Sequence, residues 1–151
     1  MNLQVEWNPP LAMRRVRSLT YKLDLEKIPD VAGVYVFGRR WGNSFEALYV
    51  GKARNVHARV KGQLNNLRLM SHIRDAKAGN RIVMVGSIIT RPGQQIDKCL
   101  TLVEHSLIRN FLSEGDDLVN VQGTQLRRHE IASVKTPRWF VRNKMFLDKD
   151  R

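Results

Sequence analysis

The chain has 151 residues, 42% hydrophobic and 26% charged, which suits a single domain with a real core and points away from a disordered or membrane-spanning protein. Lys and Arg number 26 against 14 Asp and Glu, for a formal net charge of +12. A field of that sign gathers polyanions, so the expected partner is nucleic acid. Anionic lipid is a poorer fit, because no strongly amphipathic basic helix with a Trp/Leu face is evident. No stretch approaches the roughly 18 apolar residues of a membrane span, and the first residues lack the apolar run of a secretory signal. The lone Cys99 allows no internal disulfide and reads as a small core residue, which suits a reducing cytoplasm.

Basic charge is concentrated in two stretches. Residues 52–81 hold eight basic and one acidic residue, and residues 124–151 hold eight and three. Between them, residues 82–123 hold three basic and five acidic residues.

Residues 1–29 mix aromatic, proline and basic residues with a break at Pro9-Pro10, and read as an arm or accessory layer. The apolar runs Val31 to Phe37 and Phe45 to Val50 flank the turn-prone Trp41-Gly42-Asn43-Ser44 and predict a β-hairpin with a fairly long loop. Asn55 can cap a helix whose stripe is Val56, Val60 and Leu64, ended by Asn65-Asn66. Leu69 to Lys77 predicts a second helix, stopped by Gly79-Asn80, and Arg81 to Thr90 a third strand. After Arg91-Pro92-Gly93, the residues Ile96, Leu100, Val103, Leu107 and Phe111 recur at helical spacing until Gly115-Asp116-Asp117. Leu118 to Val121 reads as a short extended segment. The order β-β-α-α-β-α implies an α/β fold of the α+β type, a small mixed sheet of about three strands flanked by helices. Residues 30–122 form the expected domain, and residues 123–151 a basic extension packed on it or extending from it.

Glu104 lies on or beside the apolar stripe of the long helix, where an ionised carboxylate is costly unless paired or bound to metal. A boundary Glu reaching water is the plain alternative. As a hard oxygen donor it suits magnesium or manganese. Arg59 sits at the edge of the first helix's stripe, where a guanidinium can reach past the core to a phosphate. It can equally cover apolar surface with its stem. Tyr35 and Tyr49 each stand in a β-run near glycine, which suits packing and also lets a ligand backbone approach. Lys52 can act as a point charge on phosphate, and Asn120 reads first as a turn residue.

Taken together, the string Gly33-Val34-Tyr35, then Tyr49-Val50-Gly51-Lys52, then Arg59, Glu104 and Asn120 resembles the GIY-YIG nuclease family. It is most similar to the N-terminal nuclease domain of bacterial nucleotide-excision-repair endonucleases, over residues 30–122. The resemblance implies a metal-dependent endonuclease using one ion, Mg2+ or Mn2+, held by Glu104. It implies that Arg59 stabilises charge on the phosphate, that Tyr35 or Tyr49 deprotonates or orients the attacking water, that Lys52 assists as a charge, and that Asn120 holds the geometry near Glu104. Val replaces Ile in both tripeptides, and Gln63 stands where some members carry His. His57, His72 and His105 read as structural.

Further expected nucleic-acid contacts are Arg39 and Arg40 in the hairpin loop, Arg54, Lys61, Arg68 and Arg74 along the basic stretch, and Arg138, Trp139 and Arg142 in the tail. Packing of Trp139 and Phe140 on the domain is an equal alternative. A domain of this size would draw specificity from loops, flanking arms, a homodimer or a partner protein. The competing reading is a basic nucleic-acid-binding module that does not cut, with a ribosome- or RNA-associated protein behind it.

Overall fold

Strict alternation of apolar and polar residues shapes the first strand, β1 (Asn2–Trp7), whose Leu3, Val5 and Trp7 are buried. The computed structural model describes residues 2–119, 129–141 and 144–147, with side chains for 2–119 and 131–141. After β1 come β2 (Leu11–Ala12), β3 (Arg14–Arg17), β4 (Thr20–Lys22), a single 3-10 turn at Leu25–Lys27, β5 (Gly33–Trp41) and β6 (Ser44–Ala53). Then follow α1 (Val56–Gln63), α2 (Leu67–Asp75), β7 (Asn80–Ile89), α3 (Ile96–Ser113), β8 (His129–Val134) and β9 (Lys144–Leu147).

Among the described residues, seven strands form one mixed sheet, ordered β6-β5-β7-β1-β8-β9, with β2 also on β7. The α/β class is as expected, but the sheet is larger than about three strands. The three expected strands, β5, β6 and β7, form one side of it. Residues at both ends of the chain complete the other side. β1 pairs antiparallel with β7 and parallel with β8, so residues 2–7, read from sequence as part of an arm, lie inside the sheet.

The β5–β6 hairpin also differs from expectation. Its strands run on to Trp41 and Ser44, leaving a two-residue turn in place of a long loop, with Gly42 at φ +56. Arg39 and Arg40 are therefore strand residues. Arg39 is buried, donates to Glu46 Oε1 at 2.8 Å and Ala78 O at 2.8 Å, and its guanidinium lies 3.9 Å from the Trp41 ring centroid.

Two apolar layers cover the sheet. On one face, α1 and α2 bury Val56, Val60, Leu69, Met70 and Ile73 against Tyr35, Phe37, Leu48, Val83 and Val85. On the other, α3 buries Leu102, Val103, Leu107 and Phe111 against Val34, Val36, Val50 and Trp7. Asn55 and Asn66 cap α1 and α2 by accepting from Ala58 N and Leu69 N. At the end of α3, Gly115 takes φ +84 and the Asp116 carboxylate accepts from Ala47 N at 2.8 Å, tying that helix to β6. Phe140 closes the second layer among Trp7, Phe45 and Phe111. Among the described residues no helix is long and apolar enough to cross a membrane.

If β1 belongs to one cooperative unit with the rest, truncating Trp7, which is 1% exposed, costs the whole domain about 3–5 kcal/mol. Urea unfolding of Trp7→Ala followed by both far-UV circular dichroism and fluorescence should show one shifted transition. Two separate transitions would place β1 outside the core.

Candidate active site

The side chains of β5 and β6 alternate between the two layers, and that alternation assembles the site. Tyr35 pairs across with Gly51, and Phe37 with Tyr49, all on the α1 face; Val34 pairs with Lys52 on the α3 face. β6 is the outer strand of the sheet, so residues from both faces can meet around its edge. A Cβ on Gly51 would lie 2.3 Å from Tyr35 Cζ and 2.3 Å from its hydroxyl. The absent side chain is what lets the Tyr35 ring lie across β6. Gly33 is needed for a different reason: its Cβ would meet Gly86 O of β7 at 2.2 Å, so it serves close strand packing.

Around this edge opens a cleft of about 420 Å³, lined by Tyr35, Tyr49, Lys52, Arg54, Arg59 and Glu104, together with Gly51, Ala53, Asp97 and Leu100. Five of the six residues expected to be catalytic thus share one cavity. The sixth, Asn120, lies outside the described residues. The chain reaches β6 just before it, where Val119 N donates to Leu48 O at 3.0 Å.

Glu104 reaches the cleft from the middle of α3 and is only 6% exposed. Burial raises its pKa above the ordinary carboxylate value, while the charges of Lys52 and Arg59 oppose that shift. Among the described residues, its only ion-pair neighbour within 4.0 Å is His105 Nε2 at 3.9 Å. Burial lowers the His105 pKa, which disfavours the charged ring as a counter-charge. Glu104 therefore has opposite charges nearby but, among the described residues, no bonded partner, in a cavity that faces solvent.

The cations are fixed by their neighbours. Lys52 Nζ donates to Thr101 Oγ1 at 2.5 Å, and Arg59 Nη1 donates to Lys52 O at 3.3 Å. Arg54 pairs with Asp97 through two bonds, one of them 2.7 Å, and the pair holds the Asp97 carboxyl below its usual pKa. The tyrosine rings stack at 6.1 Å between centroids, and Gln63 Nε2 donates to both hydroxyls, at 2.8 Å to Tyr35 and 3.2 Å to Tyr49. Asn66 Nδ2 donates to Gln63 Oε1 at 3.0 Å, which orients that amide. Burial pushes the Tyr35 phenol up to about 12, with the Gln63 bond pulling the other way. Tyr49 is half-buried and stands nearer the opening.

A divalent metal fits this donor set in one way. No group of three or more His, Cys, Asp or Glu exists among the described residues, so a closed zinc-type site is absent there. Magnesium is commonly held by one or two carboxylates, with water and substrate phosphate oxygens filling the remaining positions. Glu104, buried and open to the cleft, is the residue that would hold it.

Several expected nucleic-acid contacts lie elsewhere. Lys61, Arg68 and Arg74 are exposed along α1 and α2, with Arg74 bonded to Asp75. The Arg40 guanidinium lies 4.1 Å from the Trp139 ring centroid, and Trp139 is half-buried against Phe45 and Phe140. This aromatic and basic string packs on the domain through Trp139 and Phe140; Arg138 is exposed and Arg142 lies outside the described residues. His57 Nδ1 and His72 Nε2 bond the carbonyls of Ile28 and Asp117, each at 2.8 Å, consistent with structural roles. The site role of Gln63 and the support from Thr101 were missed from sequence. Thr101 lies three residues before Glu104 on α3, which is a readable signal.

No protein-family model matches the chain, and neither the curated proteins nor the solved structures contain a match.

The burial of Glu104 has a measurable sign. A raised folded pKa stabilises fully below the unfolded value, and that stability is lost as pH rises through the folded pKa. At pH 7.5 in EDTA, Glu104→Gln should therefore melt higher than the wild type, and the gain should shrink as the pH falls into the carboxylate range. Magnesium should raise the wild-type Tm and leave the variant unmoved. A variant that melts lower in EDTA would mean that Glu104 has a stabilising partner.

Proposed function

We propose that this protein is a metal-dependent endonuclease that hydrolyses phosphodiester bonds in nucleic acid, DNA before RNA, with one divalent cation. The observation that carries the proposal is Glu104, a buried carboxylate that among the described residues has no bonded counter-charge, sharing one open cleft with Tyr35, Tyr49, Lys52 and Arg59. A pure binding surface has no use for a buried carboxylate, which repels phosphate. The resemblance of the GVY and YVG tripeptides, Arg59 and Glu104 to GIY-YIG nucleases supports the same reading.

In this reading a water molecule attacks phosphorus in line with the leaving oxygen; the new P–O bond forms as the old one breaks. Tyr49, at the opening, orients that water and, acting as the phenolate, takes its proton to become the neutral phenol. Tyr35 is a poor base because burial favours its neutral form, and it serves to hold Tyr49 in place through Gln63. Arg59 and Lys52 stabilise the negative charge that builds on the phosphoryl oxygens. Glu104 would hold a magnesium or manganese ion, and that ion would supply Lewis-acid stabilisation of the charge on the departing oxygen. A second hollow, lined by Ala53, Arg54, Asn55, Ala58, Arg59, Gly62 and Gln63, continues from the cleft along α1 and offers a path for the strand beyond the cut. The single buried cysteine is consistent with a role in the cytoplasm.

The direct test is cleavage of supercoiled plasmid, single-stranded DNA and RNA with magnesium, manganese or EDTA. Cutting is expected with metal, and Glu104→Ala and Arg59→Ala should each lose about 100-fold or more. Tight, salt-sensitive binding with no cutting in either metal would make the protein a binding module instead.

The two tyrosines separate in the same assay. Tyr49→Phe should lower kcat by about 100-fold, the usual scale for a lost proton-transfer group, and Tyr35→Phe by clearly less. The reverse order would assign the water to Tyr35.

A further inference from the structure

A strongly basic exposed element outside the cleft is the two-stranded ribbon β3–β4. Residues 7–23 hold Arg14, Arg15, Arg17 and Lys22 and no acidic residue. Register decides where those side chains go. Arg14 pairs with Lys22, Arg15 with Tyr21, and Arg17 with Thr20, with a shift between Arg15 and Arg17 that makes Val16 the extra residue of a bulge. Tyr21 and Met13 are buried, so the face carrying Arg15 turns toward the domain. Thr20 and Lys22 occupy the opposite face.

The bulge matters because an unbroken ladder would place Val16, not Arg17, opposite Thr20. The extra residue turns Arg17 onto the outer face, beside Arg14 and Lys22. Val16, the extra residue, is 49% exposed. Arg15 donates from Nε to Ser18 O at 2.9 Å and braces the turn, where Ser18 takes φ +44. Among the described residues, none of Arg14, Arg17 or Lys22 is held in an ion pair. The ribbon rests on the same apolar layer as α1, α2 and Tyr35. It is therefore anchored on the face that carries the tyrosines.

We infer that the β3–β4 ribbon is a DNA-gripping element that enters the major groove of a B-form duplex and makes duplex DNA, rather than duplex RNA, the preferred ligand. The inference rests on the nucleic-acid part of the proposed function but not on cutting. Two strands lie about 4.8 Å apart, and with their side chains they fit the B-form major groove, about 12 Å wide, but not the minor groove, about 6 Å wide. The A-form major groove is deep and narrow and excludes such a ribbon. On entering, Arg14, Arg17 and Lys22 would meet phosphates at the groove's rim or guanine edges within it.

The test is fluorescence anisotropy in EDTA, with a DNA duplex and an RNA duplex of the same sequence, over a range of salt. The wild type should prefer DNA, and methyl green, which occupies the major groove, should compete where the minor-groove binder netropsin does not. Replacing Arg14, Arg17 and Lys22 together by Ala should weaken DNA binding at least about 10-fold near 0.1 M salt and flatten the salt slope by about 2 to 3. Arg14→Lys with Arg17→Lys, which keeps the charge, should restore most of the salt slope. In the cleavage assay the triple variant should raise KM and leave kcat at saturating DNA unchanged.

Wild-type binding of duplex DNA that the triple variant leaves intact, or equal losses on DNA and RNA, would overturn the ribbon assignment alone. So would competition by netropsin, or a ribbon-dependent affinity confined to anionic lipid vesicles. A wild type that binds no nucleic acid at all would overturn both this inference and the proposed function.

Discussion

Glu104 projects from the centre of α3 into a space that only partly admits water, and nearby cations lower the cost of keeping it charged without bonding to it. The surrounding structure is arranged to hold a carboxylate in that condition. α3 is fixed along its length by Leu102, Val103, Leu107 and Phe111, and at its end by the Asp116 link to Ala47, so its middle cannot swing outward to hydrate Glu104. Lys52 is kept at its distance by Thr101, on the same helix. An isolated buried charge is unstable unless a ligand completes it. Stability given up locally, on a frame that forbids relaxation, is a common physical signature of functional sites.

The frame extends beyond the hairpin and helices that bear the site. β5 is flanked by β6 and β7, and β7 in turn by β1 and β2, so both sides of the hairpin's inner strand are hydrogen-bonded. That support lets the outer strand carry a glycine at position 51 without losing its place, and the glycine lets Tyr35 reach the cleft. Gln63, oriented by Asn66 at the start of the next helix, ties both hydroxyls to α1. Cations are then spread outward from the cleft, on α1, α2 and the β3–β4 ribbon, while the acidic residues keep mostly to structural pairs such as Arg39–Glu46 and Arg54–Asp97.

Local pattern made the central elements legible in the sequence. Asn55 before a Val56–Val60 stripe, the five-residue apolar repeat in 96–111 and the Val/Ile run of 81–90 all formed as expected, within a few residues at each end. The cleft residues were legible for a different reason: each alone had a plain structural reading, a boundary Glu or a packed strand tyrosine, and only their joint spacing set them apart. What was missed depended on pairing. Asn2 to Trp7 alternates perfectly, but its partners lie more than 75 residues away on β7 and β8, and Pro9-Pro10 drew attention to a break instead. Arg39 looked like a loop cation because turn chemistry at 41–44 hid how tightly the hairpin closes. The ribbon's outer face depends on a one-residue bulge, which no periodicity reveals.

The central proposal is that Glu104, buried and without a bonded counter-charge among the described residues, holds a divalent cation. Titration of the protein with Mn2+, followed by electron paramagnetic resonance, measures that directly. The account predicts one bound ion per chain in the wild type, weakened on acidification at a higher pH than an ordinary carboxylate would show, and essentially lost in Glu104→Gln. Mn2+ binding that survives Glu104→Gln, or no binding by a folded wild type even with nucleic acid present, would contradict it.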